Sequence, residues 1–317
     1  MLTVLACLVL AIVLAFAAVI AFSAPKSLPP MASVSNAFEG VDFQDLPPKQ
    51  LFAARDGEKL ALRAYPGDPL RIAMLIHGSA GTSASMHPLA RALQAHGATV
   101  YALGMRGHDG TGRSGDIAYI GQLEDDVVDF VRTLGPRPPG QHRTLLGFSS
   151  GGGFALRFAG GPNGALFDRL ILVSPQFPYH APTSRPDAGG WVSLALPRIV
   201  ALTALNRIGI AAFNALPVLA LAVDRKRLAQ TQLTPVYSFS MLRSFAPGDD
   251  YLGDVRRVNG PLDVFVGASD EIFRAEHYAP LLKPVRPEAR VTVVPGLGHM
   301  DMTIKPAALD AIAAALG

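Results

Sequence analysis

The sequence predicts an α/β protein: a mostly parallel central sheet with helices on both faces, a helical insertion, and an apolar helix at the N-terminus. Three observations lead there. Short β-rich runs alternate with helical stretches from about residue 50 onward. The strands are nearly continuous in apolar residues, as expected of strands covered on both faces. Half of the 317 residues are hydrophobic and only 17% are charged, so the chain can bury a large core and is not disordered.

Leu2 to Phe22 is a run of 21 residues without a charge. A helix of that length spans about 30 Å, the thickness of a bilayer's hydrocarbon core. Residues 1–23 are therefore read as a single membrane-spanning anchor, on a membrane side that the sparse flanking charge leaves open. The competing readings are a cleaved signal, which would release a secreted or periplasmic protein, and a buried core helix. The missing positive n-region and the long apolar stretch weigh against the signal. Residues 24–50 hold five prolines and several serines and read as a linker, because each proline fixes φ and removes a donor.

The body is then read in order over residues 51–317. Leu51–Ala54 and Leu60–Tyr65 form a strand pair turning at Asp56-Gly57. Arg71–Ile76 and Thr99–Leu103 are strands flanking the helical Met86–His96. Gly121–Leu134 is helical, with Leu123, Val127, Val128 and Val131 on one side. Its acids Glu124, Asp125, Asp126 and Asp129 read as a solvated face. Thr144–Phe148 is a buried strand, followed by glycines and the helical Phe154–Ala159. Leu170–Val173, Leu262–Val266 and Val291–Val294 complete the strands, with helices at Ala275–Leu282 and Pro306–Leu316.

About 86 residues separate the strand ending at Ser174 from the one starting near Pro261. That is too long for a loop. Residues 176–258 are read as a helical cap over the strand ends. A lid walling an apolar pocket, a subdomain with only a packing role, and a second span are the three readings of it. The charges and prolines within Trp191–Val223 weigh against the span.

Composition narrows the chemistry. The net charge of +3 comes without a long basic run, so nucleic-acid binding has little support. A single cysteine, Cys7, excludes an intramolecular disulfide framework and a Cys-rich zinc site. No H-E-x-x-H, calcium loop, phosphate loop or dinucleotide fingerprint is present, so neither metal nor organic cofactor is expected.

Gly147-Phe148-Ser149-Ser150-Gly151 follows a predicted strand and precedes a predicted helix. That is the context in which G-x-S-x-G becomes a sharp turn exposing a serine hydroxyl at a helix N-terminus. Ser149 is the candidate nucleophile. Ser150 lacks a glycine two positions earlier; its backbone N–H is instead a candidate oxyanion donor.

Here the chain resembles the α/β-hydrolase superfamily, and within it the cap-bearing serine hydrolases that include monoacylglycerol lipases and lysophospholipase-like enzymes. The likeness covers about residues 50–317. It rests on Leu75-Ile76-His77-Gly78-Ser79, on Arg106-Gly107-His108, on the serine turn, and on the acid and histidine segments near the C-terminus. One departure is Gly104, where many relatives carry an aspartate. The resemblance implies the chain order serine, acid, histidine. His299, after the last strand in a glycine-flanked loop, is the candidate base. Asp270, after Leu262–Val266, is the candidate orienting acid, with Glu271 and Asp301 as rivals. Ser79 is the candidate second oxyanion donor, and Arg106 and His108 are read as structural. The expected activity is hydrolysis of lipophilic carboxylic esters by a membrane-anchored enzyme. Acyl transfer, amide or thioester hydrolysis, and a non-catalytic binding protein on the same fold are the alternatives.

Overall fold

The computed structural model describes residues 2–224, 226 and 228–316. Met1 and the side chains of Leu2, Leu5, Ala6, Leu8, Val9, Ile12, Val13, Ala229 and Gln230 lie outside that description. The strands are β1 (Gln50–Ala53), β2 (Lys59–Tyr65), β3 (Asp68–Ile76), β4 (Ala98–Leu103), β5 (His142–Phe148), β6 (Arg169–Val173), β7 (Val192–Leu194), β8 (Pro217–Leu221), β9 (Val236–Ser238), β10 (Leu262–Gly267) and β11 (Arg290–Val294). The helices are α1 (Leu2–Phe22), α2 (Ala32–Ser35), α3 (His87–Ala95), α4 (Gln122–Thr133), α5 (Ser150–Ala159), α6 (Leu196–Arg207), α7 (Leu228–Thr231), α8 (Phe239–Ser244), α9 (Tyr251–Arg257), α10 (Tyr278–Leu282) and α11 (Pro306–Ala314).

Eight strands form one sheet in the order β1-β2-β4-β3-β5-β6-β10-β11. β1 and β2 are antiparallel to their neighbours, and the pairs from β4 to β11 are parallel. Successive side chains of a strand point to opposite faces, and β3 shows the result. Ala73 and Leu75 pack with Leu89 and Leu93 of α3 and Ile312 of α11. Met74 and Ile76 pack with Leu123 and Phe130 of α4 and Phe154 of α5. The carboxyl ends of β3, β5, β10 and β11 lead into the segments that carry Ser79, Ser149, Asp270 and His299.

The structure departs from the sequence reading in four places. The first is the membrane span. Among the described residues no helix is long and apolar enough to cross a membrane. The apolar C-terminal part of α1 has another use: Phe16, Val19 and Ile20 pack against Ala201 and Leu202 of α6, Val218 and Phe239. Apolarity serves protein packing and bilayer insertion equally, and the sequence alone does not separate them.

The second is the linker. Residues 24–50 are docked on the body. The Met31 N–H donates to Ala222 O at 2.8 Å, and Leu28, Met31 and Val34 pack on the core. Asp45 pairs with His87 at 3.0 Å and Arg91 at 2.8 Å. The third is the cap, which is not wholly helical: β7, β8 and β9 form an antiparallel sheet of their own. Pro217 starts β8, where a missing N–H costs little, and Val218 to Leu221 are buried.

The fourth is the acidic face of α4, which is not solvated. Asp126 and Asp129 are buried. Asp126 accepts two hydrogen bonds from Arg106, at 2.7 and 2.8 Å, and Asp56 accepts two more from the same guanidinium. Asp129 is held by Arg55, and Glu124 by Arg157 at 2.8 Å.

Candidate active site

β5 ends at Phe148 and α5 starts at Ser150, so Ser149 must reverse the chain in one residue. It does so at φ +55° and ψ −122°, a region that non-glycine residues rarely occupy and that marks stored strain. The turn is held by the Ser149 N–H donating to Val173 O at 3.0 Å, and by its carbonyl accepting from Gly152, Gly153 and Gln176. The flanking glycines are required by contact. A Cβ on Gly147 would lie 2.3 Å from Gly151 O, and one on Gly151 would lie 2.2 Å from His77 O.

His299 reaches the turn from the loop after β11. Its Nε2 is 3.0 Å from Ser149 Oγ, and its Nδ1 is 2.9 Å from Asp270 Oδ2. A carboxylate only accepts, so Nδ1 carries the proton and Nε2 is free to accept from the serine hydroxyl. The other Asp270 oxygen accepts the N–H groups of Ile272 and Phe273 at 2.9 and 2.8 Å. Burial alone would raise the Asp270 carboxyl. The neighbouring His299 and these hydrogen bonds outweigh burial and hold it below its ordinary value. The imidazole lies between the Phe148 and Phe273 rings, at centroid distances of 4.8 and 5.3 Å. Ser149, Asp270 and His299 are each buried.

The rival acids occupy different places. Glu271 accepts the His299 N–H at 3.0 Å, and Asp301 accepts the Gly298 N–H at 2.9 Å. Both therefore fix the histidine loop through its backbone.

The segment after β3 lies against the serine: a Cβ on Gly78 would meet Ser149 Cβ at 3.1 Å. His77 donates from Nδ1 to Gly78 O and accepts the Met105 N–H on Nε2. The Ser79 hydroxyl accepts from the Trp191 indole at 2.9 Å. Ala80, at φ +60°, donates its N–H to Tyr237 Oη at 2.8 Å, and its carbonyl accepts the Thr234 N–H. Tyr237 in turn donates to His108 Nε2, and His108 donates from Nδ1 to Arg106 O. The Ser150 N–H, in the first turn of α5, has no intrahelical acceptor.

Gly104 also finds its explanation. The Asp109 carboxylate lies 2.6 Å from where a Cβ on Gly104 would stand. There it accepts from the N–H and hydroxyl of Ser83 and pairs with Lys49 at 2.9 Å. An acid five residues later thus fills the space beside the glycine.

Ser149 and His299 open onto a cavity of about 460 Å³. Its walls include Trp191, Val223 and Leu233 of the cap and Phe38, Phe43 and Leu46 of the N-terminal segment. The lid reading of residues 176–258 anticipated a cap wall containing Trp191 and Val223; sequence reasoning missed Phe38, Phe43, Leu46 and the Tyr237 clamp.

Residues 67–303, three quarters of the chain, match the family model described as serine aminopeptidase, S33. The chain belongs to that family. The S33 match takes in Ser149, Asp270 and His299 and leaves out α1 and residues 31–46. A monoacylglycerol lipase of Mycolicibacterium smegmatis is 33% identical over 117 residues, which is 36% of this chain and 40% of that protein. The chain thus spans less than half of that relative's length. Among solved structures, a soluble variant of the Saccharomyces cerevisiae monoglyceride lipase with a substrate analogue superposes at a TM-score of 0.63. It is 16% identical and covers 85% of this chain and 94% of that one. A bacterial membrane phospholipase A superposes at 0.60 with 16% identity, covering 100% and 98%. At these identities the likeness is one of fold. This S33 member has the α/β-hydrolase fold.

Proposed function

We propose that this protein hydrolyses lipophilic carboxylic esters, of the monoacylglycerol or lysophospholipid kind, through Ser149, His299 and Asp270. The observation that carries the reading is the hydroxyl–imidazole–carboxylate line, with links of 3.0 and 2.9 Å, at the floor of an apolar cavity. The name of the M. smegmatis relative agrees with it.

Ser149 Oγ attacks the ester carbonyl while His299 Nε2 takes its proton. Asp270 holds the imidazole in the tautomer that can accept, and stabilises the imidazolium that forms. The N–H groups of Ser79 and Ser150 donate to the oxyanion; losing one such donor costs about 3 kcal/mol of transition-state stabilisation. His299 then protonates the leaving alcohol, and water, activated by the same imidazole, releases the acid. The Phe148 and Phe273 rings pack beside the His299 imidazole.

The test compares wild type and Ser149→Ala on nitrophenyl esters and monoacylglycerols, with labelling by a fluorophosphonate. Wild type is expected to hydrolyse and to label. Ser149→Ala is expected to lose both, with kcat down by at least about 10⁴-fold. Equal activity in the two proteins eliminates the mechanism.

A further inference from the structure

The segment before the S33 match holds large apolar side chains that the core does not use. Phe38, Phe43 and Leu46 are half-buried and belong to none of the buried apolar clusters, yet all three line the cavity that holds Ser149 and His299. Val34 lines the same cavity. Placing such side chains against an aqueous cavity gains little, because the hydrophobic contribution scales with area removed from water. An apolar ligand filling the cavity would supply the missing contact.

The segment is also held as a wall would be. At the cap end, the Lys26 N–H donates to Ser193 Oγ at 3.1 Å and the Met31 N–H to Ala222 O at 2.8 Å. At the other end, Asp45 binds His87 and Arg91, and Lys49 Nζ donates to Asp109 O at 2.7 Å and to Gln232 Oε1 at 2.8 Å. Arg63 donates to Pro47 O. The strap therefore runs from cap to core across the cavity and is anchored on both sides. Phe38 and Phe43 form a tilted ring pair at 6.1 Å.

We propose that residues 31–46 form the acyl-chain wall of the substrate site, with Phe38, Phe43 and Leu46 as its specificity-determining side chains. The inference rests on the ester-hydrolase reading above and assigns its chain-length preference to a segment outside the family match. The ligand class is a saturated or unsaturated hydrocarbon chain.

Two measurements test it. The first is kcat/KM for nitrophenyl acetate and nitrophenyl decanoate in wild type, Phe38→Ala, Phe43→Ala and Leu46→Ala. The ratio of decanoate to acetate is expected to fall roughly tenfold in each, the scale of a lost apolar contact in a specificity pocket. Phe43→Leu, which keeps bulk, is expected to hold most of the ratio, and Phe38→Ala and Leu46→Ala carry the test if Phe43→Ala does not fold. An unchanged ratio, or equal loss on both esters, overturns the strap assignment and leaves the hydrolase reading standing. The second does not need turnover. Trp191 lies on the cavity wall and is the sole tryptophan, so its emission reports occupancy. Decanoate titrated into Ser149→Ala is expected to change that emission to saturation, and to bind roughly tenfold more weakly when Phe43→Ala is added. If wild type cleaves neither ester, the hydrolase reading fails and this titration decides the strap alone. Equal decanoate affinity with and without Phe43 overturns it.

Discussion

Tyr237 and His108 meet at 2.6 Å, hydroxyl to Nε2, although 129 positions separate them in sequence. The same hydroxyl accepts the Ala80 N–H, so a cap residue fixes the segment that presents Ser79. Removing it in Tyr237→Phe leaves two buried polar groups unpaired, at about 1–3 kcal/mol of stability. The expected kinetic effect is a roughly tenfold fall in kcat with KM changed less, since loop geometry matters most at the transition state. Denaturant unfolding and steady-state kinetics on one preparation check both, and wild-type kcat contradicts the clamp.

Asp270→Asn keeps the shape of the carboxyl but not its charge or its acceptor pair. The imidazole then turns to the wrong tautomer, and kcat is expected to fall by about 10⁴-fold. Glu271→Gln keeps an acceptor for the His299 N–H and is expected to lose far less. Measuring the two side by side separates orienting the ring from positioning the loop.

Asp126 sits under Arg106 with almost no access to water. Asp126→Ala leaves a buried guanidinium with Asp56 as its remaining partner. A loss of about 3 kcal/mol is expected, the usual range for breaking a buried pair. Midpoints from urea unfolding read it directly. A solvated acid would give a change within about 0.5 kcal/mol.

Burial holds His77, His87 and His108 below the usual imidazole value of 6.5. A native state that refuses protons binds fewer of them than the unfolded chain once pH drops below about 6.5. Unfolding free energy is therefore fully present above that pH and declines on acidification, until the native imidazoles themselves protonate. For the buried His77 and His108 the slope is at most about 1.4 kcal/mol per pH unit each. Denaturation at pH 7.5 and 5.5 should show the decline, and a flat profile refutes it.

Legibility followed the range of the interactions. The turn at Ser149 was readable because strand, glycines and helix are contiguous, and His299 because its loop follows the last strand. The strap was not readable, since its prolines and serines erase any period and its ties reach to Ala222, His87 and Asp109. The acids of α4 read as surface because their partners, Arg55, Arg106 and Arg157, lie far off in the chain. β8 was lost because a short apolar run looks the same in a strand and in a helix.

Arg198 is buried, and its guanidinium donates to Ala21 O at 3.0 Å and Pro217 O at 2.8 Å. Backbone carbonyls at a helix C-terminus carry partial negative charge, so the end of α1 serves this cation as counter-charge. Pulling α1 away would strand the cation. One buried cation therefore ties the C-terminus of α1 to α6 of the cap, the same cap whose Trp191 donates to the Ser79 hydroxyl.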